Sequence, residues 1–217
     1  MGKSILIVAA TAKEIAPFIQ LIRGKKISRH NIDILVSGIG LTTTSYHLTK
    51  QLVLKNYDWV IQAGLAGSYN FDIPLGNVVA IKQDTIADQS VVEMKKLKTL
   101  FDLKLVPHNQ HPYKNGWLAN PDKKIFKQKG LKVVSGISVN QISTSKKMIQ
   151  FYRNEFNPVT ESMEGAALHY VCLMEKIPFL QIRSISNYIG ERNKKKWDMG
   201  ESIINLNSAL VEIINNY

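Results

Sequence analysis

A single three-layer α/β/α domain, with helices on both faces of a central mixed, largely parallel sheet, is the fold predicted by the 217-residue sequence. Three observations predict it. The opening run SILIVAA, Ser4 to Ala10, is apolar throughout, as a strand buried on both faces must be. Strand-like and helix-like stretches then alternate along the chain, the pattern of a sheet covered by helices. Near the C-terminus, Thr160 to Asn187 reads as a tight turn, an apolar helix, a Lys176-Ile177-Pro178 break and a buried strand. Ser186 and Asn187 stand just past that strand, where open α/β sheets hold their ligands. The length fits one domain over residues 1–217, and 45% hydrophobic residues can fill its core.

After the first strand, Ile15, Phe18, Ile19 and Ile22 recur at helical spacing. Thr11 and Glu14 form a capping box at the start of that helix, in which the glutamate reaches back to the cap residue's amide. The same carboxylate, at the top of the first strand, is also placed to face a ligand. Ile32 to Val36 is the second strand, and Ser37-Gly38-Ile39-Gly40 turns into a helix running to about Lys55. Glycines between strand and helix either make a tight turn or cradle an anion. Trp59 to Ala63 is the third strand, and Gly64-Leu65-Ala66-Gly67-Ser68 is a small-residue loop that lets backbone approach a ligand. Val78 to Lys82 is a further strand.

Residues 83–120 are the least regular part, a surface loop that covers a pocket or meets a partner subunit. Their His108 and His111 lack metal-ligand spacing with a third partner. Pro121 to Lys129 reads as a short basic helix, Leu131 to Ser135 as a strand, Gly136 to Ser143 as a polar loop and Lys146 to Asn154 as a helix. Gly165 to Glu175, Phe179 to Ser184 and Met199 to Asn215 supply a helix, a strand and a last helix.

Composition excludes several functions. The net charge of +11 is scattered as lysine pairs over helix surfaces, without the arginine-rich or aromatic-interleaved stripe of a nucleic-acid binder. The single cysteine, Cys172, allows no disulfide framework or thiolate zinc site. No apolar stretch approaches the roughly 20 residues of a membrane span, and the opening run is too short for a signal peptide. A cytoplasmic protein without a membrane partner is expected.

Taken together, Ala10-Thr11-Ala12-Lys13-Glu14, Ser37-Gly38-Ile39-Gly40, Ala63-Gly64-Leu65-Ala66-Gly67, and Ser162-Met163-Glu164-Gly165-Ala166-Ala167 followed by Arg183-Ser184-Ile185-Ser186-Asn187 resemble the purine nucleoside phosphorylase and nucleosidase superfamily. Within that superfamily the chain is similar to the methylthioadenosine/S-adenosylhomocysteine nucleosidase branch, and the segment Ser186 to Asp198 carries a narrower resemblance to the futalosine hydrolases of menaquinone biosynthesis. The resemblance implies a homodimer or larger homo-oligomer that hydrolyses a small purine nucleoside, futalosine, without metal or cofactor. It implies that Glu14 positions and deprotonates the attacking water, that Glu164 binds the ribose hydroxyls and that Met163 packs on the sugar. Asn187 stands where the methylthioadenosine nucleosidases have aspartate, and an amide suits a 6-oxopurine such as hypoxanthine. Leu65, Ala66, Gly67, Val139, Ser186 and Trp197 are the implied substrate-binding residues. Val139 falls where a nucleosidase aromatic stacks on the base, and Trp197 falls beside the 5′ substituent. Arg192 or the nearby lysines are candidates for that substituent's carboxylate. The two glycine-rich segments carry no Arg or Lys to hold inorganic phosphate, which favours water as nucleophile over a phosphorylase reaction.

Overall fold

The computed structural model describes residues 2–24, 29–127 and 130–216. The alternation expected from sequence produces β1 (Ser4–Ala9), α1 (Ala12–Gly24), β2 (Asn31–Val36), α2 (Leu41–Leu54) and β3 (Trp59–Ser68). Then follow β4 (Val78–Asp84), β5 (Ser90–Glu93), β6 (Lys96–Thr99), β7 (Leu118–Ala119), β8 (Lys132–Ser138) and α3 (Lys146–Phe156). The chain ends with β9 (Thr160–Ser162), α4 (Gly165–Met174), β10 (Phe179–Tyr188) and α5 (Met199–Asn215).

The sheet is mixed. β1 runs parallel to β2 and β3, β3 to β10, β4 to β8 and β8 to β9, whereas β4 is antiparallel to β10 and β9 to β3. Because β3 pairs with both β9 and β10, the strands β3, β10, β4, β8 and β9 close into a ring, and β1 and β2 extend from it.

Side-chain alternation along β1 explains the three layers. Ile5, Ile7 and Ala9 face α1 and α5, packing with Phe18, Leu206, Leu210 and Ile214. Leu6 and Val8 face α2 and α4, packing with Leu48, Leu52, Leu168 and Cys172. Period-2 alternation with both faces apolar gives the continuous hydrophobic run seen in the sequence. No helix among the described residues is long and apolar enough to cross a membrane.

Four expectations need correction. Ser186 and Asn187 do not stand past the last strand: β10 runs on to Tyr188, because β3 pairs with it that far. Gly64 to Ser68 is not a loop: β3 continues to Ser68, because its two neighbours supply a ladder on both edges. Residues 83–120 contain the β5–β6 hairpin and β7, short strands with too little periodicity to announce themselves. The helix expected over Pro121 to Lys129 is only a single 3₁₀ turn, Ile125–Lys127, and residues 128 and 129 lie outside the described residues.

Candidate active site

The carboxyl ends of β1, β3 and β10 and the turn ahead of α4 converge on a cavity of about 290 Å³. Its lining includes Glu14, Leu65, Ala66, Gly67, Val139, Met163, Glu164, Ser186, Asn187 and Trp197, so residues far apart in sequence are brought to one place.

Glu14 closes the capping box and also lines the cavity. Its Oε2 accepts hydrogen bonds from the Thr11 amide (2.9 Å) and hydroxyl (2.8 Å), while Thr11 Oγ1 accepts from the Glu14 amide (3.3 Å), which closes the capping box. Its Oε1 accepts from the Leu65 amide (3.2 Å) on β3. The turn is also clamped from α5. Asn207 interposes its amide in the helical ladder beside Pro17, donating to Glu14 O (2.8 Å) and accepting from Phe18 N (3.1 Å).

Glu164 caps α4 and is buried. Its Oε1 accepts from the Gly40 amide (3.2 Å), so the glycine turn before α2 turns a backbone donor toward a carboxylate. Its Oε2 meets Arg183 Nη1 at 3.4 Å, with the arginine side chain 1% exposed. Arg183 Nη2 also donates to Gln62 Oε1 (2.7 Å). Burial raises the Glu164 pKa above the ordinary carboxylate value, and the Arg183 charge and the Gly40 amide oppose that rise. Gly64 makes the arrangement possible, since a Cβ there would lie 2.2 Å from Arg183 Nη1.

Asn187 owes its position to a bulge. Ile185 pairs with Ala66 and Asn187 with Gly67, so Ser186 is the extra residue and both Ser186 and Asn187 reach the cavity. Ser186 Oγ donates to Asn187 Oδ1 (3.0 Å), and Asn187 Nδ2 donates to Tyr188 O (3.3 Å). That bond engages one of the two Nδ2 hydrogens.

The Asp198 amide donates to Ser186 O (2.8 Å), and the adjoining Trp197 donates from Nε1 to Glu191 O (3.0 Å), with the Arg192 guanidinium 5.5 Å from its ring centre. Met199, Ile203 and Ile39 add apolar side chains to the cavity lining.

Sequence reasoning missed two contributors. Arg183 is one: a charged residue inside an apolar strand run is itself a signal, because arginine is rarely buried unpaired. Glu161, 4% exposed, lines the cavity with its Oε2 accepting from Tyr69 OH (2.6 Å) and its Oε1 from Ser143 N (2.9 Å). The lining therefore holds three carboxylates, Glu14, Glu161 and Glu164, against one cation, Lys13, among the described residues.

Behind the site, the buried Asp84 accepts from Ser138 Oγ (3.0 Å), which in turn accepts from the Ala166 amide in the first turn of α4 (2.8 Å). Gly165 leaves room for this, since a Cβ there would sit 2.1 Å from Asp84 Oδ2. Burial pushes the Asp84 pKa from 3.8 to about 7, against the Ser138 hydroxyl, the Arg183 charge and the Gln181 amide. Between those two values the unfolded chain has released this proton and the folded chain keeps it, so stability falls as pH rises across that window. Asp84→Asn should flatten the slope. Melting temperatures at about pH 4 and about pH 8 will differ less in the variant than in the parent, and equal differences would contradict the assignment.

The Phosphorylase superfamily profile matches residues 4–215, nearly the whole described chain. The chain belongs to the Phosphorylase superfamily. Within that superfamily it is similar to the 5′-methylthioadenosine/S-adenosylhomocysteine nucleosidase of Buchnera aphidicola, with 27% identity over 84% of this chain and 78% of the relative. It is similar also to the futalosine hydrolase of Thermus thermophilus, with 24% identity over 83% of this chain and 80% of the relative. Among solved structures, the futalosine hydrolase of Helicobacter pylori superposes with a TM-score of 0.80 at 20% identity, over 99% of this chain and 98% of that one. The superfamily resemblance read from the motifs is borne out, and these relatives divide between two kinds of enzyme.

Proposed function

We propose that this superfamily member hydrolyses the N-glycosidic bond of futalosine, releasing hypoxanthine and dehypoxanthine futalosine. The observation that carries the reading is an amide, Asn187, in the same cavity as Glu14 and Glu164. As the bond from C1′ to N9 breaks, its electron pair moves into the base and positive charge develops on the ribose. The carboxylates stabilise that positive charge. Glu164 accepts from the ribose hydroxyls, with Met163 against the sugar, and Glu14 accepts a proton from the water whose oxygen bonds to C1′. At the base, Asn187 Nδ2 donates to O6, where much of the departing charge resides, and once the departing base takes up a proton from solvent at N7, Oδ1 accepts from that N7–H.

A 6-aminopurine presents a donor where Asn187 already has one, and each unpaired buried polar group costs about 1–3 kcal/mol. The surplus of carboxylates over the lone Lys13 supports water as the nucleophile, because a phosphate dianion would want several cationic partners. The apolar lining with Trp197 suits the aryl portion of futalosine's 5′ substituent, and Arg192 its carboxylate. A cytoplasmic location, a homo-oligomeric assembly and a single domain over residues 1–217 belong to the same proposal.

The competing reading, cleavage of methylthioadenosine, rests on the Buchnera relative. Asn187→Asp separates the two. The variant should lose about 10- to 100-fold in kcat/KM for hypoxanthine release, the range set by one mismatched buried group, and should gain adenine release from methylthioadenosine. Steady-state assays of both nucleosides check this, and an unchanged preference would sink the role given to Asn187.

A further inference from the structure

Asn187 meets only one edge of a base, and the strand register supplies a second reader. Glu161 pairs with Gly67 across the antiparallel β9–β3 contact, and Asn187 pairs with Gly67 across the parallel β3–β10 contact. The three residues form a row across three strands. Residues directly opposite one another project on the same face of a sheet, and the face in question is identified by Gly67. A Cβ built there would point at Asn187 Nδ2 (3.2 Å) and would collide with Ile189 Cδ1 (2.4 Å). Glu161 and Asn187 thus flank, on one face, a floor that the Ile189 side chain makes over Gly67.

We propose that Glu161 is a specificity-determining residue that reads the far edge of a 6-oxopurine by accepting its N1–H. At about 4.8 Å per strand, the flanking backbones stand about 10 Å apart, a span suited to a fused two-ring base with a hydrogen bond at each end. Tyr69 OH and Ser143 N hold the carboxylate, one on each oxygen, and an ionised carboxylate has about four acceptor positions, so capacity remains for a ligand donor. Tyr69 is fixed in turn, its carbonyl accepting from Arg153 Nη2 at 3.0 Å. The chemistry is selective. A 6-oxopurine carries a hydrogen on N1 next to its O6, whereas a 6-aminopurine presents a bare lone pair there, which a carboxylate repels. Glu161 and Asn187 therefore discriminate in the same direction from opposite edges.

This inference rests on the base assignment proposed above. Its test titrates hypoxanthine and 1-methylhypoxanthine, which lacks the N1 hydrogen, into the parent protein and into Glu161→Gln, alongside the parent's activity on futalosine. The parent should bind hypoxanthine at least about 10-fold more tightly than the methylated base, the scale of one lost hydrogen bond to a charged group. Glu161→Gln should shrink that ratio severalfold and lower kcat/KM for futalosine. Glu161→Asp, which keeps a carboxylate, should retain the discrimination, so a misfolded glutamine variant does not end the test. Hypoxanthine release from futalosine by a parent that binds the two bases equally overturns the role of Glu161 alone. So does a folded Glu161→Gln that keeps the full ratio. Failure of the parent to release hypoxanthine overturns the substrate reading and this inference with it.

Discussion

Glu164→Gln should lower kcat/KM for any nucleoside substrate by about 10²–10³-fold, the usual effect of removing one preorganised electrostatic partner of a transition state. The expectation follows from geometry. Glu164 is the most buried of the three cavity carboxylates after Glu161, and its two oxygens are fixed by the Gly40 amide and Arg183. A glutamine keeps the shape but removes the negative charge that favours a cationic ribose, and it turns a donor toward either the Gly40 amide or the guanidinium. The effect should fall mainly on kcat, because the lost interaction strengthens as charge develops. A variant with raised KM and parental kcat would show instead that Glu164 only binds ground-state hydroxyls.

Arg183→Leu should cost about 3–5 kcal/mol of folding stability at neutral pH, the penalty for leaving one partner of a buried ion pair uncompensated. Three groups depend on this guanidinium: Glu164 Oε2, Gln62 Oε1 and, at 3.4 Å, the Leu65 carbonyl. The loss carries a pH signature. Burial already raises the Glu164 pKa and Arg183 opposes the rise, so without the arginine it rises further. A carboxyl with a raised folded-state pKa keeps its proton where the unfolded chain has released it, and its destabilising effect grows as pH rises through that interval. Urea unfolding should therefore show the deficit shrinking toward acid pH, and a pH-independent deficit would mean that the lost packing of the arginine stem dominates.

Both residues were visible in the sequence to different degrees. Glu164 heads an apolar helix next to a tight turn, a local pattern, and the layers of the fold followed from the doubly apolar β1. Arg183 lay inside a strand whose burial depended on β3 and β4 pairing with both its edges, which no local window contains. Glu161 was hidden for a stronger reason. β9 is three residues long, too short to show a period, and what gives Glu161 meaning is its register with Gly67, far away in the chain. The Gly64–Ser68 segment looked like a loop because small residues weaken a strand by propensity. Here they let Arg183 and Glu14 pass close to Gly64 and let the Ile189 side chain lie against Gly67, so the sheet overrides the local preference.

The roles of the carboxylates and of Asn187 meet in one prediction about the released base. The most direct measurement incubates the purified protein with futalosine, inosine and methylthioadenosine in phosphate-free buffer and identifies the bases by chromatography. Hypoxanthine released from futalosine without added phosphate is the predicted result. Adenine from methylthioadenosine with no hypoxanthine from futalosine would contradict it.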